Sequence, residues 1–170
     1  MSSWEGLRKF RFSPSILQFD EKAREACRSC KRFGKVALCP PFVPSVDYYR
    51  SLLPTYRSGE LIVALYDVPR KKDDHDFVGR QSSLDVHRQL LALRRDRFAE
   101  GHHFATAFGA GSCKFCVLGC VTPCRNPESG LVAIEGAGVD VGKLVLEVVG
   151  ERLVFPIEEK FVRVGMVLYD

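Results

Sequence analysis

The chain has 170 residues, of which 46% are hydrophobic and 27% are charged, a composition that predicts a single globular domain over residues 1–170. The formal net charge of +4 is too small to indicate nucleic-acid binding, and no motif that combines aromatic and basic residues favours RNA. The N-terminal segment lacks the apolar run of a signal peptide, and no apolar stretch is long enough to span a bilayer. We therefore expect a cytoplasmic protein that does not bind membranes.

The first half of the chain predicts two strands and two helices. Alternating apolar and basic side chains in Leu7–Phe12 predict a strand, and Ser13-Pro14 predicts the start of a helix. Four residues of this helix are expected to share one face: Ile16, Phe19, Ala23 and Cys27. A second helix is predicted over Ser45–Tyr56, with Ser45 as its N-cap. The continuous apolar run Leu61–Val68 predicts a central strand that is buried on both faces.

The longest predicted helix covers Val78–Glu100 and follows a charged loop that contains His75. We expect Phe98 on its apolar side. The opposite side is expected to expose four arginines, which could dock an acidic redox partner: Arg88, Arg94, Arg95 and Arg97. Four further elements are predicted, namely strands at 103–111 and 161–169, an extended segment at 153–157 and a helix at 139–149.

This order of elements predicts an α/β or α+β fold in which helices pack on a small mixed sheet. A ferredoxin-like sandwich is one topology that this order allows. The strand at 103–111 is expected to lead the chain into a cysteine-rich, metal-binding loop.

Four cysteines follow one another in the stretch GSCKFCVLGCVTPCRNP: Cys113, Cys116, Cys120 and Cys124. Their spacing, C-x2-C-x3-C-x3-C, is close to the C-x2-C-x2-C-x3-C-P run of bacterial ferredoxins without matching it. Thiolates are soft ligands that favour iron–sulfur clusters, zinc or copper(I). The nearby glycines allow the backbone to approach bound sulfur closely. The stretch therefore predicts a metal centre, and an iron–sulfur cluster is the favoured occupant.

A second cysteine group lies earlier in the chain and consists of Cys27, Cys30 and Cys39. The first two form a C-x2-C pair, which alone would suit a redox dithiol or half of a zinc site. Cys39 is followed by Pro40, which resembles the Cys-Pro ending of a ferredoxin run. The total of seven cysteines is odd, which disfavours a complete disulfide framework, as does the expected cytoplasmic location.

Together these motifs resemble the family of predicted metal-binding proteins described as domain of unknown function 2284. The family pattern joins a C-x2-C group, an aromatic-Gly pair and C-P-P to a later glycine-rich cysteine cluster, Cys-Arg-x-Pro and an acidic segment. The matching positions outside the cysteines are Phe33-Gly34, Pro40-Pro41, Gly111, Arg125, Pro127 and 135–141. The chain departs from the pattern at Leu131-Val132 and Ala133-Ile134, where the family has an upstream polar residue and Ser-Met. The resemblance implies a metal centre of the iron–sulfur kind and carries no settled activity.

The seven thiolates divide into sets of four and three in either of two ways. In the first, the cysteines at 113, 116 and 120 take Cys39, and those at 27, 30 and 124 hold a second cluster. In the second, the cysteines at 113–124 hold one cluster and those at 27–39 the other. Each division leaves one iron with an open position, as Lewis-acid or substrate-binding chemistry requires. Alternatives are a single [4Fe–4S] cluster or two structural zinc sites.

Four polar residues are candidates for a role beside the metal. Arg125 could hold an anionic substrate or donate to a cluster sulfur, and it could also simply pair with Glu135 or Asp140. His87 lies on the apolar side of the long helix, where a hydrogen-bonded core histidine is the expected role, with cluster ligation or proton donation as the alternative. No catalytic role is predicted more specifically than this.

Three functions fit these observations. The first is an iron–sulfur protein, with two [4Fe–4S] centres, that transfers electrons to a partner protein or serves as a redox accessory. The second is a small enzyme whose open iron binds and transforms a small molecule. The third is a structural zinc module, because zinc also accepts four cysteines.

Overall fold

The computed structural model describes residues 6–152 and 160–170 and shows an α+β fold, which confirms the predicted class. Its strands are β1 (Gly6–Phe12), β2 (Ser58–Asp67), β3 (Thr106–Phe108) and β4 (Lys160–Tyr169). Its helices are α1 (Glu21–Glu25), α2 (Val46–Leu52), α3 (His75–Ala99) and α4 (Val141–Val149). The strands form one antiparallel sheet in the order β1-β2-β4-β3, and helices separate all four strands along the chain. This order differs from the β-α-β-β-α-β order of a ferredoxin-like sandwich.

Helices cover both faces of the sheet. Along β2, Leu61 and Val63 pack with α2 and α4, whereas Ile62 and Ala64 pack with α3. Successive strand residues point to opposite faces, so an unbroken apolar run can serve two cores at once. The prediction of a central strand at 61–68 is therefore confirmed.

Local capping signals set the starts of two helices as predicted. The Ser45 hydroxyl accepts a hydrogen bond from the Tyr48 N–H at 3.2 Å, and α2 begins at the next residue. The Asp140 carboxylate accepts from the Lys143 N–H at 3.0 Å and starts α4. At the far end of α4, Gly150 adopts a left-handed φ of 79°, a conformation that glycine adopts at low cost.

The predicted helix beginning at Ser13-Pro14 is wrong. Residues Pro14–Ile16 form a single 3₁₀ turn, and α1 begins only after Asp20. The Asp20 carboxylate accepts from the Lys22 N–H at 3.0 Å, while its own N–H donates to the Gly138 carbonyl at 2.7 Å. This tertiary hydrogen bond holds the chain extended ahead of α1. The four residues assigned to one helical face therefore belong to four different segments.

The long helix is confirmed, with corrections to its surface. It begins at His75, which therefore lies in α3 and not in a loop. Phe98 is 58% exposed and does not join the apolar side. Arg97 is mostly buried, because its guanidinium makes a bidentate ion pair with the buried Glu60 carboxylate at 2.7 and 3.0 Å. Arg97 is thus not part of an exposed basic face.

The strand predicted at 103–111 contains only the three residues of β3. Just beyond it, Gly109 leaves β4 and forms a parallel bridge with Ala133, which draws the chain away from the sheet. The predicted extended segment 153–157 lies outside the described residues. Among the described helices, none is long and apolar enough to cross a membrane.

Candidate metal centre

The first cysteine loop, residues 26–42, is closed by its own backbone hydrogen bonds. A 3₁₀ turn carries Cys27 and ends at Cys30, whose N–H donates to the Cys27 carbonyl at 3.0 Å. The Gly34 N–H donates to the Pro40 carbonyl at 3.0 Å, and Gly34 has the left-handed φ of +68° that the turn requires. The Cys39 N–H donates to the Val36 carbonyl at 2.9 Å, which leaves this cysteine only 8% exposed.

The second cysteine loop, residues 109–130, is held together at its base. The Gly109 N–H donates to the Val132 carbonyl at 2.7 Å, and the Ile134 N–H donates to the Gly109 carbonyl at 3.3 Å. The four cysteines between these anchors are all partly exposed. The loop thus leaves the edge of the sheet and returns to it within a few ångströms.

The fold brings the two cysteine loops into contact. The Ala37 N–H of the first loop donates to the Cys120 sulfur of the second at 3.3 Å. A Cβ added at Gly130 would lie 2.2 Å from Leu38 Cδ1 and 3.5 Å from the Cys124 sulfur, so the absence of a side chain there allows close packing. The two cysteine groups, which are far apart in the sequence, therefore form one thiol-rich region.

The electrostatics of the thiols identify near neighbours across this contact. Burial raises the pKa of the Cys39 thiol to about 12, with Cys30, Cys27 and Cys113 adding to the rise and Lys114 opposing it. Burial is also the main cause of the raised pKa of Cys27, followed by Glu135 and Cys30. Crowded thiols of this kind stay protonated until a cation replaces their protons, and a bound metal does this directly.

The donor set fits a metal–thiolate centre chemically. All seven cysteines are free thiols. Sulfur atoms in both loops accept N–H hydrogen bonds, which include the Arg32 N–H to Cys30 at 3.5 Å and the Asn126 side-chain N–H to Cys116 at 3.6 Å. Such bonds stabilise bound thiolates and tune cluster potentials. Within the described ranges, however, no three Cys, His, Asp or Glu side chains converge closely enough to hold one metal ion.

Lys114 is a site residue that sequence reasoning missed. Its charge interacts with Cys39 and Cys113, and its ammonium group donates to the Ser112 carbonyl at 3.1 Å. Burial, with Arg163 and Arg32 acting in the same direction, lowers the pKa of Lys114 to about 8. Its place inside the C-x2-C spacing was the one available signal, since a cation there can offset thiolate charge.

His87 lies beneath the base of the second cysteine loop, fully buried. A Cβ added at Gly109 would lie 2.8 Å from its Nε2, and its ring lies 5.7 Å from that of Phe115. The core position of His87 is as predicted. Neither ring nitrogen makes a hydrogen bond of standard geometry with a described residue, although the Ala110 backbone lies near the ring. Burial lowers the pKa of His87 to about 4, which keeps the ring neutral at pH 7.

The other polar candidates are only partly brought together. Glu135 and Asp140 are near neighbours, because the pKa of Glu135, raised mainly by burial, is raised further by Asp140. Glu135 also lies near the Cys27 thiol. Arg125 is exposed, and within the described part of the chain it forms no ion pair with either carboxylate. Asp140 is the N-cap of α4, where its carboxylate accepts a hydrogen bond from the Lys143 N–H.

A cavity of about 870 Å³ adjoins the thiol-rich region on the side of α4. Ala26 and Gly111, one from each cysteine loop, form part of its wall. Most of the remaining wall is aliphatic, with Glu135 as the carboxylate nearest to a cysteine. The cavity is large enough for a small organic molecule.

Comparison with known proteins gives one match. The model of a family described as "Predicted metal-binding protein (DUF2284)" matches residues 11–169, which is nearly the whole chain. No curated protein matches the sequence, and no solved structure matches the fold.

Proposed function

We propose that the two cysteine loops of this chain hold iron–sulfur clusters and carry electrons. The chain belongs to the family of predicted metal-binding proteins called domain of unknown function 2284. The observation that carries this proposal is the contact between two loops that together bear seven free thiols and whose sulfur atoms accept backbone and side-chain N–H bonds. An iron–sulfur cluster, when bound, supplies a one-electron couple whose potential depends on hydrogen bonds, charge and exposure.

The contacts between the loops favour a division of the thiols that the sequence did not suggest. Cys39 has Cys30, Cys27 and Cys113 as its electrostatic neighbours, so these four would hold one centre. The remaining three, at 116, 120 and 124, would hold a second centre with one position open. The N–H donors of Ala37 and Asn126 would then serve the second centre, and Lys114 would offset charge at the first.

The solvent exposure of the second cysteine loop favours electron transfer over the transformation of a substrate. The second loop is open to solvent, so a centre there could exchange electrons with a partner without structural change. The cavity instead reaches Ala26, the neighbour of Cys27 in the chain, and Glu135, on the side of the four-thiol set that has no open position. The protein would work in the cytoplasm, where free thiols persist.

The test is to purify the protein without oxygen and to measure iron, sulfide and zinc per chain together with the visible spectrum. We expect about eight irons and eight sulfides, as two [4Fe–4S] clusters require. About four of each would reduce the proposal to one cluster. A colourless protein with stoichiometric zinc would refute it and leave a structural zinc module.

Serine variants test the division of the thiols. We expect Cys113→Ser and Cys39→Ser to perturb the same signal in electron paramagnetic resonance, and Cys124→Ser to perturb the other. If Cys113→Ser instead shares its signal with Cys124→Ser, the second loop holds its own four-cysteine cluster. Cys120→Ser should remove one centre and about half of the iron, and an unchanged iron count would contradict its assignment as a ligand.

The cavity supports a second candidate function, a small enzyme that binds its substrate beside the metal. Its aliphatic side chains and the Glu135 carboxylate would suit a small organic cation, although three basic residues also line the cavity, namely Lys22, Lys143 and Arg163. Titration with alkylamines of increasing chain length, followed by the visible spectrum, tests this function. A saturable change that Glu135→Gln abolishes while iron content stays constant would favour the enzyme, and no change would favour the electron carrier.

A further inference from the structure

The outer end of the second cysteine loop exposes aliphatic side chains. Leu118 is 94% exposed and Val117 is 86% exposed, and both lie between Cys116 and Cys120. Val121, at 38%, extends the same apolar tip. Single exposed apolar residues are common, but a cluster of three on one short loop is typical of a contact site.

The charged residues of the two cysteine loops around this tip are mostly basic. Residues 26–42 and 109–130 together include six Lys or Arg and a single carboxylate, Glu128, near the end of the second loop. Five of the basic side chains are exposed: Arg28, Lys31, Arg32, Lys35 and Arg125. The two loops thus combine exposed basic and aliphatic side chains with candidate metal ligands.

The contact between the loops brings basic residues of the first loop near the second loop, which carries the apolar tip. The Ala37 N–H bond to the Cys120 sulfur places Lys35, two residues before Ala37, close to the segment that carries Leu118. Arg32 and Lys114 are also near neighbours across the two loops. We call the surface formed by Lys31, Arg32, Lys35, Arg125 and residues 117–121 the cysteine-loop surface.

We propose that the cysteine-loop surface docks an acidic electron-carrier protein, with the aliphatic tip at the centre of the contact and the basic side chains around it. The choice of partner rests on the proposed electron-transfer function. An apolar centre with a charged rim is the usual anatomy of a protein interface. Contacts between redox partners are small and transient, which fits a surface of two loops, and opposite charges raise their association rate.

Other partners fit this surface less well. The tip is aliphatic and offers no ring on which a nucleic-acid base could stack. Two or three aliphatic residues on a loop give too little apolar area for membrane anchoring. The arginine side of α3 is also a poorer docking face, because Arg97 is paired with Glu60, Arg94 donates to the Glu128 carbonyl at 2.8 Å and Arg88 faces Asp85.

Binding of an acidic plant-type [2Fe–2S] ferredoxin, measured by biolayer interferometry at low and high salt, tests the proposal. We expect Arg32→Glu with Lys35→Glu to weaken binding on the order of tenfold at low salt, with a much smaller effect at high salt. Val117→Ser with Leu118→Ser should weaken binding about fivefold at both salt concentrations, because the lost contact is apolar.

A matched charge control is available on the opposite side of the molecule. Lys9 lies on β1, at the sheet edge away from the second cysteine loop, and Arg57 lies beside Tyr169, at the end of β4 away from that loop. Both are exposed, and Lys9→Glu with Arg57→Glu changes the net charge as much as the loop pair does. We expect this control to change the affinity less than about twofold.

Equal weakening by the control pair, or the absence of salt-dependent ferredoxin binding, would overturn the proposal. Tighter binding to single-stranded RNA or to anionic phospholipid vesicles than to ferredoxin would overturn it too. Iron and zinc contents measured on the same samples separate the two proposals. A zinc-containing chain that still binds ferredoxin through the cysteine-loop surface would refute the electron-transfer function and leave the docking surface standing.

Discussion

The two cysteine loops both carry free thiols, but their backbones are held in different ways. In the first loop, backbone hydrogen bonds join Cys30 to Cys27, Gly34 to Pro40 and Cys39 to Val36. In the second loop, all of which the structure describes, residues 110–125 contain one turn, at 117–118, and no backbone–backbone hydrogen bond with the close geometry of those in the first loop. The first loop therefore has a backbone conformation of its own, whereas the second depends on its ends, on the first loop and on whatever its thiols bind.

This difference shows what a bound metal would contribute in each loop. In the first loop a metal would occupy thiols that are already positioned, and its binding energy would mainly displace protons from buried sulfur. In the second loop the same ligands would also replace missing backbone hydrogen bonds, so binding and ordering would be coupled. Metal removal should therefore affect the two loops unequally.

The largest expected effect follows from removing the metal. Treatment of the oxygen-free protein with an iron chelator should raise the amide exchange rate of residues 113–125 on the order of a hundredfold, measured by hydrogen-exchange mass spectrometry. Residues 33–42 should change much less, because their amides keep backbone partners. The amides of β2, at the centre of the sheet, serve as the internal control. Similar increases in both loops would show that the first loop is not preformed.

The local parts of this site could be predicted from sequence, and the parts that depend on contact between distant segments could not. The grouping of the cysteines and the helix caps at Ser45 and Asp140 depend on spacing within a few residues, which a sequence displays directly. The approach of Ala37 to Cys120 depends on the whole sheet, and so does the placing of Cys39 near Cys27, Cys30 and Cys113 at once. Spacing alone therefore leaves both of its divisions of the thiols open, and the division proposed from these contacts adds a third.

The wrong predictions have the same origin. The apolar spacing of residues 16–27 suits a helix, but the hydrogen bond from the Asp20 N–H to the Gly138 carbonyl holds that segment against another part of the chain. The position of Arg97 on its helix predicts an exposed side chain. In the structure, Arg97 instead forms an ion pair with Glu60, which lies on strand β2. In both cases a tertiary contact outweighs a local preference that is worth well under 1 kcal/mol per residue.

Breaking the Arg97–Glu60 ion pair should destabilise the fold without affecting either cysteine loop. Arg97→Ala leaves the Glu60 carboxylate buried without its cation, so we expect the free energy of unfolding in urea to fall by about 3–5 kcal/mol. The side chains are only 15% and 6% exposed, so solvent screens the pair little. Arg95→Ala, an exposed position on the same helix, should change stability by less than about 0.5 kcal/mol. If the folded Arg97→Ala variant lost its metal, the ion pair would be shown to affect the cysteine loops, which would contradict this prediction.

Acid should destabilise the fold by protonating His87, which lies beneath the second cysteine loop. Its pKa in the fold is about 4, below the ordinary value of 6.5, because burial disfavours the charged ring. Between pH 6.5 and 4, His87 therefore binds a proton in the unfolded chain but not in the folded chain. The free energy of unfolding that is present above pH 6.5 is lost as the pH falls toward 4. The loss is on the order of 3 kcal/mol.

Urea unfolding of the wild type and of His87→Leu at several pH values measures this effect. The variant keeps an apolar side chain beneath Gly109 and Phe115 and has no ring to protonate. We expect its stability to fall less steeply between pH 6.5 and 4 than that of the wild type. Parallel slopes would show that His87 does not resist protonation in the fold.

The smallest expected effect tests the contact between the loops. Gly130→Ala would place a methyl group 2.2 Å from Leu38 Cδ1, so either the Leu38 side chain must rotate or one loop must shift, at a cost of about 1–3 kcal/mol. Leu38→Ala alone should also destabilise, because it removes packing from the partly buried Leu38. If the clash is the cause, the double variant should be less destabilised than the sum of the single variants, with a coupling energy of about 0.5–3 kcal/mol in urea unfolding. Additive effects would mean that Gly130 and Leu38 do not meet, and the single thiol-rich region built from both loops would then lose one of its two direct contacts.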